Sequence, residues 1–350
     1  MNSTKKTSSP LRIGILGGAN IARQFSRDVA PSRKVKVVAV ASRTSETAAA
    51  FATAQGIGRS HGSYEALLQD DGVDAIYLPL PNSMHAEWAI KAAAAGKHIL
   101  SEKPLALNHA EARSMFDAAK RHGVMLLEAY PYWFQPQTGD MLRLLREGAI
   151  GDVKAVQASF GFTMSNPQGN IRNNPALGGG ALLDAGSYPL SLIRLVMGCA
   201  PVRVMADASW SDTGVDISMS CTLLYADGRR AQVQCAMDVG IHRFASIIGS
   251  KGAISTEFLN HTHDVAGGHP YGYVPSLLRV RRGTAPVPFE EVRSGTGSGF
   301  RFAAESFAKV VAAKDFAAID RAAAASLDIA ATLEALALSA KEGRAVDLPV

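Results

Sequence analysis

From Leu11 to about Ala129, short apolar runs alternate with stretches whose apolar residues recur at helical spacing. Arg12–Leu16, Lys36–Ala41, Ala75–Leu78, His98–Leu100 and Val124–Leu127 have strand length. Asn20–Val29, Glu46–Ala54, Ala86–Ala95 and Ala110–Arg121 carry the helical spacing. Gly96 and Gly123 stand where two of these helices should stop, in the left-handed conformation that ends a helix. Short apolar strands separated by helices predict a parallel sheet covered on both faces.

After Pro136 the pattern changes. A helix over about Asp140–Glu147 ends at Gly148, and long β-type runs follow: Val153–Phe162, Val202–Ser209, Ile217–Tyr225, Ala231–Met237 and His242–Ile248. Asp227-Gly228 and the Gly249–Gly252 stretch are tight-turn signals. Strands at this spacing predict a largely antiparallel sheet, interrupted by a helix over Leu190–Met197. The segment 260–288, rich in Gly, Pro and His, reads as loop, and two Ala-rich helices follow near Phe302–Ala312 and Arg321–Ala340. The expected boundary lies near residue 130. Residues 11–130 form one domain and 131–350 a second, with packing of the last helices against the first domain left open.

Composition narrows the class. A chain of 350 residues suits two domains, and 47% hydrophobic with 19% charged residues suits a globular protein. The net charge is +5, but Lys and Arg are scattered, with one dense run at Arg279, Arg281 and Arg282 in a strand-like stretch. No nucleic-acid partner is expected, while a mildly positive field suits an anionic cofactor. The three cysteines, Cys199, Cys221 and Cys235, form no CxxC pair. They predict no disulfide framework or zinc site and read as buried small hydrophobes in a reducing compartment. The polar first ten residues contain no signal-type apolar core, and no uninterrupted apolar run is long enough to span a bilayer. The expected address is the cytoplasm, with a trimmed export signal left open.

The first strand runs into Gly17-Gly18-Ala19-Asn20-Ile21-Ala22. Small residues there allow a tight turn and close approach of a pyrophosphate to the backbone, at the positive end of the following helix. The second strand ends in Ala41-Ser42-Arg43-Thr44, without the carboxylate that an NAD site usually places on the ribose. Ser42 can donate to a 2′-phosphate and Arg43 can pair with it, so the expected cofactor is NADP. Another strand ends in Ser101-Glu102-Lys103-Pro104. Ligands of an open α/β sheet bind beyond such carboxyl ends, which points Lys103 at the expected nicotinamide position. The glycine run Gly178-Gly179-Gly180 leads to Asp184 and Tyr188, four residues apart and on one face if the stretch is helical. Pro189 argues for a helix that starts only near Ser187. His261, His263, Asp264 and His269 lack regular ligand spacing, so no metal is expected.

These residues resemble the glucose–fructose oxidoreductase and inositol dehydrogenase superfamily. The likeness rests on the Gly17 turn, Pro79-Leu80-Pro81-Asn82 with His85, Glu102-Lys103-Pro104, Glu128, and the Gly178-to-Tyr188 motif. Tyr188, where many members have His, and Ser42-Arg43 are similar to the subgroup with glucose–fructose oxidoreductase, xylose dehydrogenase and dimeric dihydrodiol dehydrogenase. The resemblance implies a Rossmann-type parallel sheet followed by an open, mainly antiparallel sheet that shapes a sugar site and often forms a dimer, so a homo-oligomer through that sheet is expected. It also implies that Pro79, Leu80, Asn82, His85, Glu102, Lys103 and Pro104 line the cofactor, with Arg172 near nicotinamide and substrate. The subgroup usually has a basic residue and then His after Glu128, where this chain has Trp133 and Gln135. Trp133 offers an aromatic face to a sugar, or else packs in the core.

The expected chemistry is oxidation of an aldose at C1 to a lactone. Tyr188 acts as base, assisted by the Lys103 ammonium, with Asp184 orienting substrate or Lys103. Lys103 as the base is the exchanged assignment. A cofactor retained and recycled by reducing a second sugar is a variant. Alternatives are a keto-sugar or diketone reductase, and a non-catalytic NADP-binding regulator.

Overall fold

The computed structural model describes residues 9–349. The first half contains β1 (Leu11–Leu16), α1 (Asn20–Val29), β2 (Val35–Ala41), α2 (Ser45–Gln55), β3 (Arg59–His61), α3 (Tyr64–Leu68), β4 (Ala75–Leu78), α4 (His85–Ala94), β5 (His98–Glu102), α5 (His109–Arg121) and β6 (Leu126–Ala129). The strands form one parallel sheet in the order β3-β2-β1-β4-β5-β6. The order turns back between β1 and β4, so the strand ends around that point open a crevice. Every residue of β4 is buried, because helices cover both faces of the sheet. Gly96 and Gly123 have φ of +72° and +64°, the left-handed closure expected of them.

The second half contains α6 (Pro136–Arg146), β7 (Val153–Thr163), α7 (Ser187–Met197), β8 (Arg203–Trp210), β9 (Asp216–Leu224), β10 (Arg230–Ala236), β11 (Asp238–Gly249), β12 (Gly252–Glu257), β13 (Leu278–Arg282), β14 (Glu290–Glu291), α8 (Gly299–Ala313), α9 (Phe316–Glu342) and β15 (Val346–Asp347). Its sheet runs β14-β13-β12-β11-β7-β10-β9-β8-β15, antiparallel except where β10 pairs with β7. In β10 the residues alternate, with Ala231, Val233 and Cys235 inside and Arg230, Gln232 and Gln234 in solvent. One face therefore packs on helices and the other is open.

Three details depart from the sequence expectations. The supposed loop 260–288 contains β13, whose Leu278 and Val280 are buried between outward arginines. Cys199 is exposed, whereas Cys221 and Cys235 are buried. The helix expected from Asp140 starts at Pro136, which takes a first-turn position where its missing N–H leaves nothing unpaired.

The last helices return to the first sheet. Phe300, Ala304 and Phe307 of α8 join the core around Phe25 of α1 and Tyr77 of β4. Helix α9 has 27 residues and is long and apolar enough to cross a membrane by length and composition. Here Ala330 packs in the first domain's core and Leu333 and Leu336 in the second's, so α9 is a core helix shared by both.

Candidate active site

The chain leaves β1 and turns at Gly17, where φ is +97°, a conformation that strains any residue with a Cβ. A Cβ there would also come within 2.9 Å of the Leu80 side chain. Gly18, Ala19 and Asn20 are exposed, Ile21 is half-buried, and no side chain caps the start of α1. Its first N–H groups and positive dipole end are thus open to an anion. Past β2, the Ser42 hydroxyl accepts from Thr47 Oγ1 at 2.8 Å. Arg43 is exposed and has no ion-pair partner among the described residues. No carboxylate stands at this strand end, so the cradle suits a phosphorylated ribose.

The turns after β4 and β5 are tied together from behind. His85 is fully buried, its ring nitrogens 3.0 Å from the Pro104 carbonyl and 2.8 Å from the Leu80 carbonyl. Burial pushes its imidazole down. His85 therefore positions the Pro79-Leu80 and Lys103-Pro104 segments and does not itself face the crevice, contrary to the lining role the resemblance implied. The Asn82 amide donates to the Gly178 carbonyl at 2.8 Å, joining this edge to the glycine run. Glu102 is buried and accepts from the Tyr77 hydroxyl at 2.6 Å, and burial pushes its carboxyl up. The Lys103-Pro104 peptide is cis.

Gly180 has φ of +110°, and a side chain there would collide with the Asp216 carboxylate. That carboxylate accepts from the Leu182 N–H at 2.6 Å, anchoring the next segment. The chain then makes a π-helical turn, Leu182–Gly186, and runs directly into α7. Such turns are frequent at functional sites. The helical course begins before Ser187, so Asp184 and Tyr188 lie one turn apart despite Pro189.

Lys103 meets both. Its Nζ donates to Asp184 Oδ1 and to the Asp184 carbonyl, each at 2.9 Å, and lies 4.8 Å from the centre of the Tyr188 ring. Arg172 Nε donates to Asp184 Oδ2 at 2.5 Å. Burial would raise the Asp184 carboxyl, but Lys103 and Arg172 outweigh it and hold the group far below the usual carboxylate range. Burial would likewise lower Lys103, but Asp184, Tyr188 and Glu102 outweigh it and keep the ammonium protonated. The pair is ionic, with the Tyr188 ring against it.

Two more side chains hold Tyr188, and nothing local in the sequence marked them. The Asn260 amide donates to Tyr188 Oη at 2.8 Å. Gln135 Nε2 donates to the carbonyls of Asn260 at 2.7 Å and Gly297 at 2.9 Å, so it fixes the segment that carries Asn260. Arg243, on β11, lies 4.3 Å over the Tyr188 ring. Trp133 donates its indole N–H to Tyr132 Oη at 2.7 Å and packs 4.9 Å from Tyr130, half-buried against the second core. Of the histidines near residue 265, His261 and His269 stack on Tyr273 at 4.6 and 4.1 Å. Tyr273 and Ser298 donate to Asp28 of α1 at 2.7 and 2.9 Å, and Asp264 accepts from Thr296 at 2.8 Å.

Residues 11–130 match an oxidoreductase family with an NAD-binding Rossmann fold, and residues 140–255 match the GFO/IDH/MocA C-terminal domain. A D-xylose 1-dehydrogenase (NADP(+)) 2 of Haloferax volcanii is 33% identical over 97% of this chain and 100% of its own length. The 3-ketoreductase KijD10 of Actinomadura kijaniata, solved in complex with NADP and TDP-benzene, has a TM-score of 0.81 at 29% identity, covering 95% of this chain and 98% of its own. An aldose-aldose oxidoreductase of Caulobacter crescentus, complexed with glycerol, has a TM-score of 0.83 at 27% identity, covering 97% and 100%. Both halves match one family and a relative matches nearly end to end, and so this chain belongs to the GFO/IDH/MocA family of oxidoreductases.

Proposed function

We propose that this chain is an NADP-dependent sugar oxidoreductase that oxidises an aldose at C1 to a lactone. The contact that carries this reading is the Lys103 ammonium held against both Asp184 and the Tyr188 ring. Gly17, Gly18, Ala19, Asn20 and Ile21 would hold the pyrophosphate, and Ser42 with Arg43 the 2′-phosphate. Pro79, Leu80, Asn82, Glu102, Lys103, Pro104 and Arg172 would border the nicotinamide side, with His85 behind them. When bound, NADP supplies the hydride acceptor.

This chain's own residues manage the proton. Tyr188 Oη, steadied by the Asn260 amide, takes the proton of the sugar hydroxyl. Lys103 keeps its own proton and donates a hydrogen bond to the same oxygen, which disfavours the exchanged assignment with Lys103 as base. Asp184, anionic between Lys103 and Arg172, fixes the ammonium in place. The same retained proton favours a second reading, reduction of a keto-sugar, in which a carbonyl oxygen needs a donor. A cofactor held through both half-reactions would couple the two directions, in line with the likeness to an aldose-aldose oxidoreductase. A homo-oligomer through the open face of the second sheet is part of the proposal, supported by exposed Met205, Phe244 and Ile248.

The test is direct. The purified protein is inspected for the ultraviolet absorbance of carried-over cofactor, then mixed with single aldoses and NADP, and reduced nicotinamide is followed. Tyr188→Phe keeps the packed ring and removes the hydroxyl, so turnover should fall by about 10²-fold or more. Near-normal turnover in that variant removes Tyr188 from the role. Conversion of sugar pairs without added NADP identifies the recycling variant.

A further inference from the structure

Arg243 has no part in the proton handling described above, yet it stands beside it. On β11, Ala245 and Ile247 point into the core, and Arg243 shares their face by strand alternation. A charged group at an inward position is unusual unless paired. Its guanidinium carbon lies 3.9 Å over Phe160, 4.3 Å over Tyr188 and 5.9 Å from Phe258. Arg243 has no ion-pair partner among the described residues; Asp184, the carboxylate that acts on it, is already engaged by Lys103 and Arg172. Its one hydrogen bond to a backbone carbonyl is long, 3.5 Å to Phe258. The residue is half-buried, none of its nitrogens is both buried and unpartnered, and its side-chain polar neighbour is Tyr188. Burial pushes the guanidinium down.

Charge at the site is therefore lopsided. Lys103, Arg172 and Arg243 face the single carboxylate Asp184, while Glu102 is shielded and raised by burial. Aromatic stacking steadies the plane of a guanidinium and leaves its edge free for a two-oxygen acceptor. We propose that Arg243 is a substrate-binding residue for an anionic oxygen group, a carboxylate or phosphate carried by the sugar, and that acidic sugars are the preferred substrates. The proposal rests on the reading of the Lys103–Tyr188 pair as the place where the sugar reacts.

Calorimetry on the NADP-loaded full chain tests it with three probes: D-glucuronate, D-glucose 6-phosphate and neutral D-glucose, each also assayed for turnover. At least one acidic probe should bind about tenfold more tightly than glucose, the increment of one charge-assisted hydrogen bond. The two acidic arms separate carboxylate from phosphate. Arg243→Met should bring the acid-to-neutral ratio near one, and Arg243→Lys should retain part of it. If glucose binds the wild-type protein as tightly as both acids, the proposal is overturned, whatever the variants do. Tight acid binding with turnover of none of the three sugars would instead sink the catalytic reading and leave Arg243 as a binding residue; tight acid binding with turnover of glucose alone would overturn the preference for acidic substrates.

Discussion

Glu128 illustrates what position alone does to a side chain. It lies one residue before the end of β6, is buried, and accepts from the Leu105 N–H at 2.9 Å. Burial pushes its carboxyl up to about 7, against the opposing pull of Ser326, the Leu105 N–H, Tyr130 and Lys103. Its folded value lies above the unfolded one, so the folded state holds the extra proton between the two. The associated stability is full at low pH and is lost as pH rises through about 7. The loss amounts to about 3 kcal/mol at most. Glu128→Gln should remove this term, so the stability of the variant relative to wild type should grow between about pH 5 and pH 8 in urea unfolding. A difference independent of pH would show that Glu128 does not titrate in that window. At this scale, Lys103 and Tyr188 were legible because each sits beside backbone punctuation, Pro104 for one and the glycine run for the other. Asn260 and Arg243 were not. One opens a Gly- and Pro-rich segment and the other lies within a β-type run, and only the assembled sheet brings them to the Tyr188 ring.

At the level of elements, the proposal gives the end of β2 the choice of cofactor. Ser42 and Arg43 stand where a carboxylate would repel a phosphate. Arg43→Ala should weaken NADP binding by about tenfold or more and leave NAD nearly unchanged, since only the former loses a charge-assisted contact. Titration of the two nucleotides against the variant checks this, and an equal loss for both would mean that Arg43 grips something other than the 2′-phosphate. The strands and helices of the first sheet were legible because they are apolar on both faces or amphipathic with glycine stops. The weaker elements were hidden for physical reasons. β3 is three residues long and stays largely exposed, and β13 alternates two apolar residues with three arginines, so each reads as polar sequence until a neighbouring strand pairs with it. The helical course from Asp184 into α7 was masked by Pro189, which lacks the N–H a helix uses at that position and here follows directly on the π-helical turn.

For the whole molecule, the nine-stranded sheet presents an open face with Met205 58% and Phe244 52% exposed. A broad, regular open face suits a two-fold partner of the same kind. Phe244→Glu should convert a dimer to a monomer in light scattering with little change in melting temperature, because the residue contributes to no core. A wild-type protein that is monomeric at all concentrations would end that assignment.

The segment beyond Asn260 bears on how the two halves move. It lies along α1, with Tyr273 and Ser298 both bonded to Asp28 and Gln24 donating to Tyr273 at 3.2 Å. The helix that follows the Gly17 turn is thus gripped by the half that carries Tyr188. Any wide hinge between them would have to peel this fastening away, dragging Asn260 off Tyr188. Substrate entry that keeps this fastening calls for small adjustments at the rim, with Tyr188 and the Gly17 turn staying in register.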